Sequence, residues 1–258
     1  MNSIATKTVR DLALEIPGAT RVFENLGIDY CCGGERTLND ACNIAGVNVE
    51  HVITSLEQVN GSHAQFEEPN FLTATLVELI DHIVEKRHVF TKTELVRLRA
   101  LMDKVHSAHG QNHPEIAELL DLFKALSDEL GPHMMKEESV LFPYTIQMED
   151  AARNGHALPR PPFGTVANPV RMMMKEHEDA GALMSQMRRV TSNYTVPPDA
   201  CISYETLYKA LDAFEKDLHQ HIHLENNILF PRAVEMEAGF ARQPPLVPDA
   251  LIAIASAV

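Results

Sequence analysis

The chain has 258 residues, of which 45% are hydrophobic, so it can bury the core of one large or two modest domains. Aromatic residues are few and Trp is absent, while residues that favour helices are plentiful, which predicts an all-α protein. The formal net charge of −14 argues against nucleic acids and anionic membranes as partners, because their phosphate groups would repel this chain.

The two ends of the chain predict neither an export signal nor a membrane span. Arg10, Asp11 and Glu15 interrupt the apolar residues near the N-terminus, where a signal peptide would need an uninterrupted apolar run. The apolar stretch at 246–258 is about half the length that a bilayer requires. We therefore expect a cytoplasmic protein whose four cysteines are reduced.

Residues 1–62 are predicted to form a small helical domain. Apolar spacing indicates short helices at 9–15, 18–26, 38–45 and 49–59. Between the second and third helices, Cys31 and Cys32 precede two glycines. Two interpretations remain open: thiols at a helix N-terminus, where the dipole favours nucleophilic or metal-binding thiolates, or small apolar residues buried in a minor core.

A polar linker at 63–70 leads to a predicted four-helix bundle at 71–238, and a C-terminal tail follows at 239–258. The four helices are expected near 72–105, 115–148, 169–193 and 204–237. We expect the Gly131-Pro132 pair to bend the second helix. Pro143 and Pro231 should kink or end the second and fourth helices at equivalent places.

One eleven-residue pattern occurs twice in the bundle, as HMMKEESVLFP from His133 and as HIHLENNILFP from His221. In each copy a glutamate follows the histidine by four residues, so the imidazole and the carboxylate lie on one helix face. His133 with Glu137, and His221 with Glu225, therefore have the spacing of metal ligands.

A single histidine precedes each pair at almost the same distance. His88 lies 45 residues before His133, and His177 lies 44 residues before His221. Such a gap accommodates a long helix, a loop and half of the next helix, so the repeat predicts four helices with ligands at similar depth. The other nine histidines are predicted to lie in loops or on other helix faces.

The ligand set indicates the metal. Four histidines and two carboxylates exceed the needs of one tetrahedral zinc ion, and mixed imidazole and carboxylate ligands suit iron or manganese. If Glu137 and Glu225 each bridge two ions and an oxo or hydroxo group bridges them as well, one coordination position stays open on each ion. A small diatomic molecule could bind there.

Long sequence blocks resemble the repair of iron centres (RIC) family of hemerythrin-like di-iron proteins, the YtfE/ScdA group. These blocks are DYCCGG at 29–34, the two eleven-residue copies, EHEDAG at 176–181 and PPDAC at 197–201. The resemblance implies a non-haem di-iron centre with His88, His133, His177 and His221 as terminal ligands and Glu137 and Glu225 as bridges. It also implies repair of iron–sulfur clusters damaged by nitric oxide or oxidants, and a thiol role for Cys31 and Cys32.

Three functional hypotheses follow from this resemblance and this ligand set. The leading one is a stress-response protein that donates iron from a labile di-iron centre to damaged iron–sulfur proteins or their apo forms. The enzymatic alternative is a nitric oxide reductase that produces nitrous oxide, and the third is a sensor or carrier of oxygen or nitric oxide. No fifth histidine ligand is evident, which weakens oxygen carriage. The resemblance is compatible with a homodimer.

Overall fold

The computed structural model describes residues 3–61, 71–158 and 160–242, and these residues form an all-α protein. The predicted fold class is confirmed. In the described ranges the only strand-like pairing is an isolated bridge between Thr8 and Thr37. The helices are a short 3-10 turn at Ser3–Thr6, α1 (Val9–Glu15), α2 (Ala19–Leu26), α3 (Leu38–Ala45), α4 (Val49–Gly61), α5 (Leu76–His82), α6 (Val89–His109), α7 (Glu115–Lys136), α8 (Phe142–Asn154), α9 (Ala167–Val190), α10 (Ile202–Leu224) and α11 (Phe230–Arg242).

The first four helices pack around an apolar core of their own. Threonine side chains begin two of these helices, since Thr8 accepts a hydrogen bond from Asp11 N and Thr37 accepts one from Asp40 N. Gly27 ends α2 in the left-handed conformation, with φ of 66°, which glycine adopts without steric cost. Fully buried residues of this core include Phe23, Leu38 and Leu56.

Four long helical rods form the second part of the chain. Three rods each join two α-helices through a π-helical turn: α5 and α6 through Ile83–His88, α7 and α8 through Glu137–Leu141, and α10 and α11 through Glu225–Leu229. The fourth rod is α9, which is α-helical throughout. Helix α7 packs against α6 and α9, α6 packs against α10, and α8 packs against α5 and α11.

Two apolar layers fill the bundle at different heights. One layer contains buried residues of α6, α7, α9 and α10, such as Leu98, Phe123 and Phe214. The other contains buried residues of α5, α8 and α11 and the start of α9, such as Leu79, Met148 and Phe230. On every rod the predicted metal ligands lie near the boundary between these two layers, so a polar layer crosses the middle of the bundle.

The prolines close to the predicted ligands lie within helical segments. Helix α7 continues through Gly131 and Pro132, so the bend expected there does not end the helix. The π-turns come directly before Pro143 and Pro231, which lie in the first turn of α8 and α11. Proline lacks the N–H of the regular ladder, and the wider hydrogen bond from Phe142 N to Glu137 O carries the rod past this gap.

The N-terminal part of the chain docks mainly on α10 and the π-turn that follows it, and Cys32 also contacts α9. Asn226 Nδ2 donates to Cys31 O at 3.1 Å, and Asn227 Nδ2 donates to Tyr30 O at 3.0 Å. His219 Nδ1 lies 2.6 Å from a Glu24 carboxylate oxygen. The predicted linker at 63–70 and most of the predicted tail lie outside the described residues, whereas α11 extends to Arg242.

No helix in the described part of the chain combines the length and the apolar character that a membrane crossing requires.

Candidate metal centre

The structure brings all six predicted metal ligands into the polar layer of the bundle. His88 ends the first π-turn, Glu137 and Glu225 begin the other two, and His177 lies in the middle of α9. π-Turns are rare and occur often at functional sites, because they change the direction in which neighbouring side chains point. Here all three π-turns of the described chain coincide with the candidate ligands.

The six side chains form two groups that share both carboxylates. His88 and His221 lie in one group and His133 and His177 in the other, and each group includes Glu137 and Glu225. Within each group one potential ligand atom per residue lies within 4.8 Å of the others. Glu137 Oε2 is 3.4 Å from both His88 Nε2 and His133 Nε2, as expected of a bridging carboxylate.

The separation of the imidazole nitrogens fits two ligands on one six-coordinate ion. His88 Nε2 lies 3.1 Å from His221 Nε2, and His133 Nε2 lies 3.0 Å from His177 Nε2. Two adjacent octahedral ligands at about 2.1 Å from an ion are about 3.0 Å apart, whereas tetrahedral ligands are about 3.4 Å apart. The observed spacing is therefore compatible with two histidines as adjacent ligands of one six-coordinate ion.

Burial and charge also fit a cation. Every one of the six side chains is at most 2% exposed. Neither carboxylate oxygen of Glu137 accepts a hydrogen bond from the described residues, and burial followed by the Glu225 carboxylate raises the pKa of Glu137. Burial opposes a charged His88, but the two carboxylates outweigh it and raise the pKa of His88 to about 10. A bound cation would satisfy this buried negative charge in place of protons.

The outer nitrogens of three histidines donate to fixed acceptors. His88 Nδ1 donates to Glu138 at 2.6 Å, His133 Nδ1 to Glu176 at 2.8 Å, and His177 Nδ1 to Asn226 Oδ1 at 2.8 Å. With the proton on Nδ1, the lone pair of Nε2 points into the polar layer, which is the tautomer that a metal requires.

The two repeats differ in the partner of the histidine in each His-x-x-x-Glu pair, His133 and His221. Glu176 precedes His177 in the chain and accepts from His133, whereas the equivalent position before His88 is occupied by Arg87. The guanidinium of Arg87 pairs with Asp217 at 2.5 Å. His221 Nδ1 consequently has no hydrogen-bond partner among the described residues.

The phenylalanine of each repeated Leu-Phe-Pro block explains why this block accompanies the ligands. Phe142 stacks on the ring of His88 with centroids 5.7 Å apart, and Phe230 stacks on His177 with centroids 6.0 Å apart. Each ring therefore packs against the first histidine of its own repeat and restricts the orientation of that imidazole.

The two thiols lie beside this centre but not at a helix N-terminus, because α3 begins only at Leu38. Of the two interpretations that the sequence leaves open, the position at a helix N-terminus is therefore excluded. Cys31 is buried, and its thiol donates to Cys32 Sγ at 3.9 Å, which lowers the pKa of Cys32. Cys32 Sγ lies 3.5 Å from the carbonyl oxygen of His177, one helix backbone away from the candidate ligands.

Sequence reasoning missed the acceptors Glu138, Glu176 and Asn226. Comparison of the two repeats contains a signal for two of them, since Glu138 and Asn226 each follow the predicted bridging glutamate. His219 and His223 are predicted to lie on other helix faces than the ligands, and the sequence does not indicate their partners. His219 contacts Glu24, and His223 Nδ1 accepts a hydrogen bond from Asn227 at 2.8 Å. Contacts between the two parts of the chain leave no periodic pattern that could predict them.

Two protein-family models match the chain. The model of the hemerythrin HHE cation binding domain matches residues 79–233, which contain all six candidate ligands. The model of the ScdA_N domain, described as a domain of unknown function (DUF542), matches residues 5–60, which contain the thiol pair.

Curated proteins of similar length resemble the whole chain. A probable iron-sulfur cluster repair protein of Haemophilus influenzae is 34% identical over 232 residues, which cover 90% of this chain and 98% of that protein. The iron-sulfur cluster repair protein YtfE of Citrobacter koseri is 35% identical over 91% of this chain and 100% of its own length. YtfE of Musicola paradisiaca is 34% identical over 90% and 98%. Together with the two domain matches, these similarities show that the chain belongs to the hemerythrin-like family of iron–sulfur cluster repair proteins.

Proposed function

We propose that this chain holds two iron ions in its polar layer and donates iron to proteins whose iron–sulfur clusters have been damaged by nitric oxide or oxidants. The observation that carries the proposal is the pair of two-histidine groups that share Glu137 and Glu225. The names of the relatives, which state iron–sulfur cluster repair, support the repair role.

Each residue type has a distinct task in this proposal. His88 and His221 would hold one ion and His133 and His177 the other, with Glu137 and Glu225 as bridges. The two apolar layers exclude bulk water from these ligands, which strengthens their attraction for a cation. Two adjacent ions in such a site can bind small diatomic molecules and undergo one-electron oxidation and reduction.

Iron content tests the site. Protein purified without chelators should contain about two irons per chain. Glu137→Ala should lose most of this metal, because it removes a ligand that both groups share. Glu225→Gln keeps the size of the side chain and tests the other bridge, and circular dichroism shows whether each variant stays folded. Exposed Glu178, one residue after His177, provides the control Glu178→Gln, which should keep both ions. Zinc, or a folded wild-type protein without metal, would contradict the proposal.

Repair is tested with a purified cluster enzyme that nitric oxide has inactivated. If this protein donates iron, the amount of cluster enzyme that is reactivated should rise in proportion to the iron that this protein loses. Reactivation should stop when that iron is exhausted. Nitrous oxide formed over many turnovers without loss of iron would instead indicate a nitric oxide reductase. Reversible binding of nitric oxide or oxygen with neither result would indicate a sensor or carrier.

The thiol pair has a separate test in the same assay. Cys32 lies against the carbonyl of His177, so we propose that the pair assists the passage of iron out of the bundle. The double variant Cys31→Ala/Cys32→Ala should keep its iron and reactivate the cluster enzyme more slowly. Full-rate reactivation by this variant would remove the thiols from the mechanism.

A further inference from the structure

The loop that carries the two thiols places a carboxylate beside them. Asp29, Cys31 and Cys32 each offer one ligand atom within 4.8 Å of the others. Cys31 Sγ is 3.6 Å from Asp29 Oδ1 and 3.9 Å from Cys32 Sγ. None of these three residues belongs to the polar layer of the bundle.

These distances match the edges of a tetrahedral metal site. Two thiolate sulfurs at about 2.3 Å from an ion are about 3.8 Å apart, and a sulfur and a carboxylate oxygen are about 3.5–3.7 Å apart. Both observed separations lie within about 0.2 Å of these values. Three ligands would leave the fourth tetrahedral position for water or for a ligand from another molecule.

The backbone already holds this arrangement. Asp29 Oδ1 accepts hydrogen bonds from Cys31 N at 3.1 Å and from Cys32 N at 2.9 Å, which fixes the carboxylate next to the sulfurs. A side chain at Gly33 would place its Cβ 2.8 Å from Asp29 Oδ2, so the glycine leaves room for the carboxylate beside the sulfurs. Asn226 anchors the other side of the loop through Cys31 O.

A metal ion can reach these ligands from solvent. Asp29, Cys31 and Cys32 line a cleft of about 830 Å³ between the N-terminal helices and the bundle. Asp29 is exposed and Cys32 is partly exposed, in contrast to the six enclosed ligands of the polar layer. The cleft therefore supplies the entry path and the open coordination position that an exchangeable site needs.

We propose that Asp29, Cys31 and Cys32 form a second metal site, which binds one divalent transition ion of the kind that thiolates prefer, such as Fe²⁺, Zn²⁺ or Co²⁺. Binding forms two metal–sulfur bonds and one metal–oxygen bond, and the two thiol protons pass to solvent. The ligand assignment is independent of the proposed function. If the proposed iron donation is also correct, an ion that leaves the bundle would bind transiently at this site.

Cobalt titration of the reduced, metal-free full-length protein tests the site. Cobalt bound by thiolates absorbs strongly in the near ultraviolet, whereas cobalt bound by histidine and carboxylate does not. In the wild type the bundle can also take up cobalt, so the band should reach its full intensity only after more than one equivalent has been added. In Glu137→Ala/Glu225→Ala, where the bundle ligands are incomplete, the band should persist at the same intensity and saturate at about one equivalent per chain. That persistence separates failure of this site from failure of the bundle centre.

Three variants make the assignment specific. Cys32→Ser should abolish the band, and Cys201→Ser should leave it unchanged, because Cys201 is an exposed thiol elsewhere in the chain. Asp29→Asn keeps the oxygen that accepts from the two backbone N–H groups but loses the charge, so it should weaken cobalt binding at least about tenfold without unfolding the loop. If the reduced wild type shows no band, the proposal is overturned, and the hydrogen bond between the two thiols alone accounts for the separation of their sulfurs. A band that survives in Cys32→Ser would overturn the proposal too.

Discussion

Proton position on the imidazoles decides whether the polar layer can accept a metal. Glu138, Glu176 and Asn226 each accept from an Nδ1–H, so the inner Nε2 is the nitrogen that can bind a metal once the proton favoured there by the buried carboxylates is displaced. A carboxylate partner also makes the imidazole a stronger ligand than an amide partner does, because it stabilises the positive charge that a metal induces on the ring. Affinity is therefore determined partly by residues that never touch the ion.

Glu176→Gln tests this effect at one residue. The change keeps an acceptor for His133 but removes its charge, and it also removes the ion pair with Lys136. We expect metal affinity to fall between about tenfold and about a hundredfold, measured by competition with a chelator of known affinity. Glu178→Gln is the control, since Glu178 is exposed and pairs only with Lys175 among the described residues. Equal affinity of both variants and wild type would refute a role for the outer acceptor.

At the scale of helices, three π-turns and one docked loop organise the centre. The repeat predicts the six ligands and the four rods, because ligand spacing and apolar periodicity are local properties of the chain. Helix α1 lies where the sequence predicts it, at Val9–Glu15. The sequence marks two of the π-turns only by the prolines that follow them, Pro143 and Pro231, and no proline marks the third, at Ile83–His88. The docking contacts could not be predicted, because Asn227 and Tyr30 are distant in sequence.

Asn227→Ala tests the docking of the N-terminal helices. The change removes the amide that donates to the carbonyl of Tyr30, and it leaves the buried Nδ1 of His223 without that donor. Because a buried acceptor without a partner costs about 1–3 kcal/mol, residues 5–60 should exchange backbone hydrogen faster than in wild type. The exposed Asn43 on α3 provides the control Asn43→Ala, which should leave this exchange unchanged. Unaltered exchange in Asn227→Ala would show that docking does not depend on this hydrogen bond.

A pH-dependent interaction joins His113, in the loop between α6 and α7, to Asp199 in the loop between α9 and α10. His113 Nε2 lies 3.1 Å from Asp199 and its Nδ1 2.9 Å from Glu115, and hydrogen bonds to these carboxylates raise the pKa of His113. Because the folded pKa exceeds the unfolded value of about 6.5, the stabilisation is complete below about pH 6.5 and is lost as the pH rises through the raised pKa. The residue is near the surface, so the contribution should stay below about 1 kcal/mol.

Denaturant unfolding across this pH range checks the interaction. The free energy of unfolding of wild type should decline above about pH 6.5 relative to that of His113→Gln, which does not titrate. The exposed His106 on the preceding helix allows the control His106→Gln, which should keep the wild-type dependence. Identical pH profiles for wild type and His113→Gln would contradict the assignment.

Across the whole molecule, the duplicated unit builds a centre of nearly equal halves, and one substitution between the units breaks this equality. Arg87 stands where the other unit has Glu176, and it pairs with Asp217 instead of accepting from an imidazole. His221 therefore lacks the outer carboxylate partner that His133 has, and an ion bound by His221 and His88 should be held less tightly than an ion in the other group.

This inequality predicts an order of departure. When a chelator is added to the fully loaded protein, we expect one ion to be released in a fast phase and the other in a slow phase. Stopped-flow absorbance measures both release rates. Glu176→Gln should accelerate the slow phase and bring the two rates closer, and a single phase for wild type would contradict the prediction. A chain that released its ions one at a time would pass through a half-filled state, in which the remaining ion would still join three of the four rods and leave the rod of His88 without a metal ligand bond.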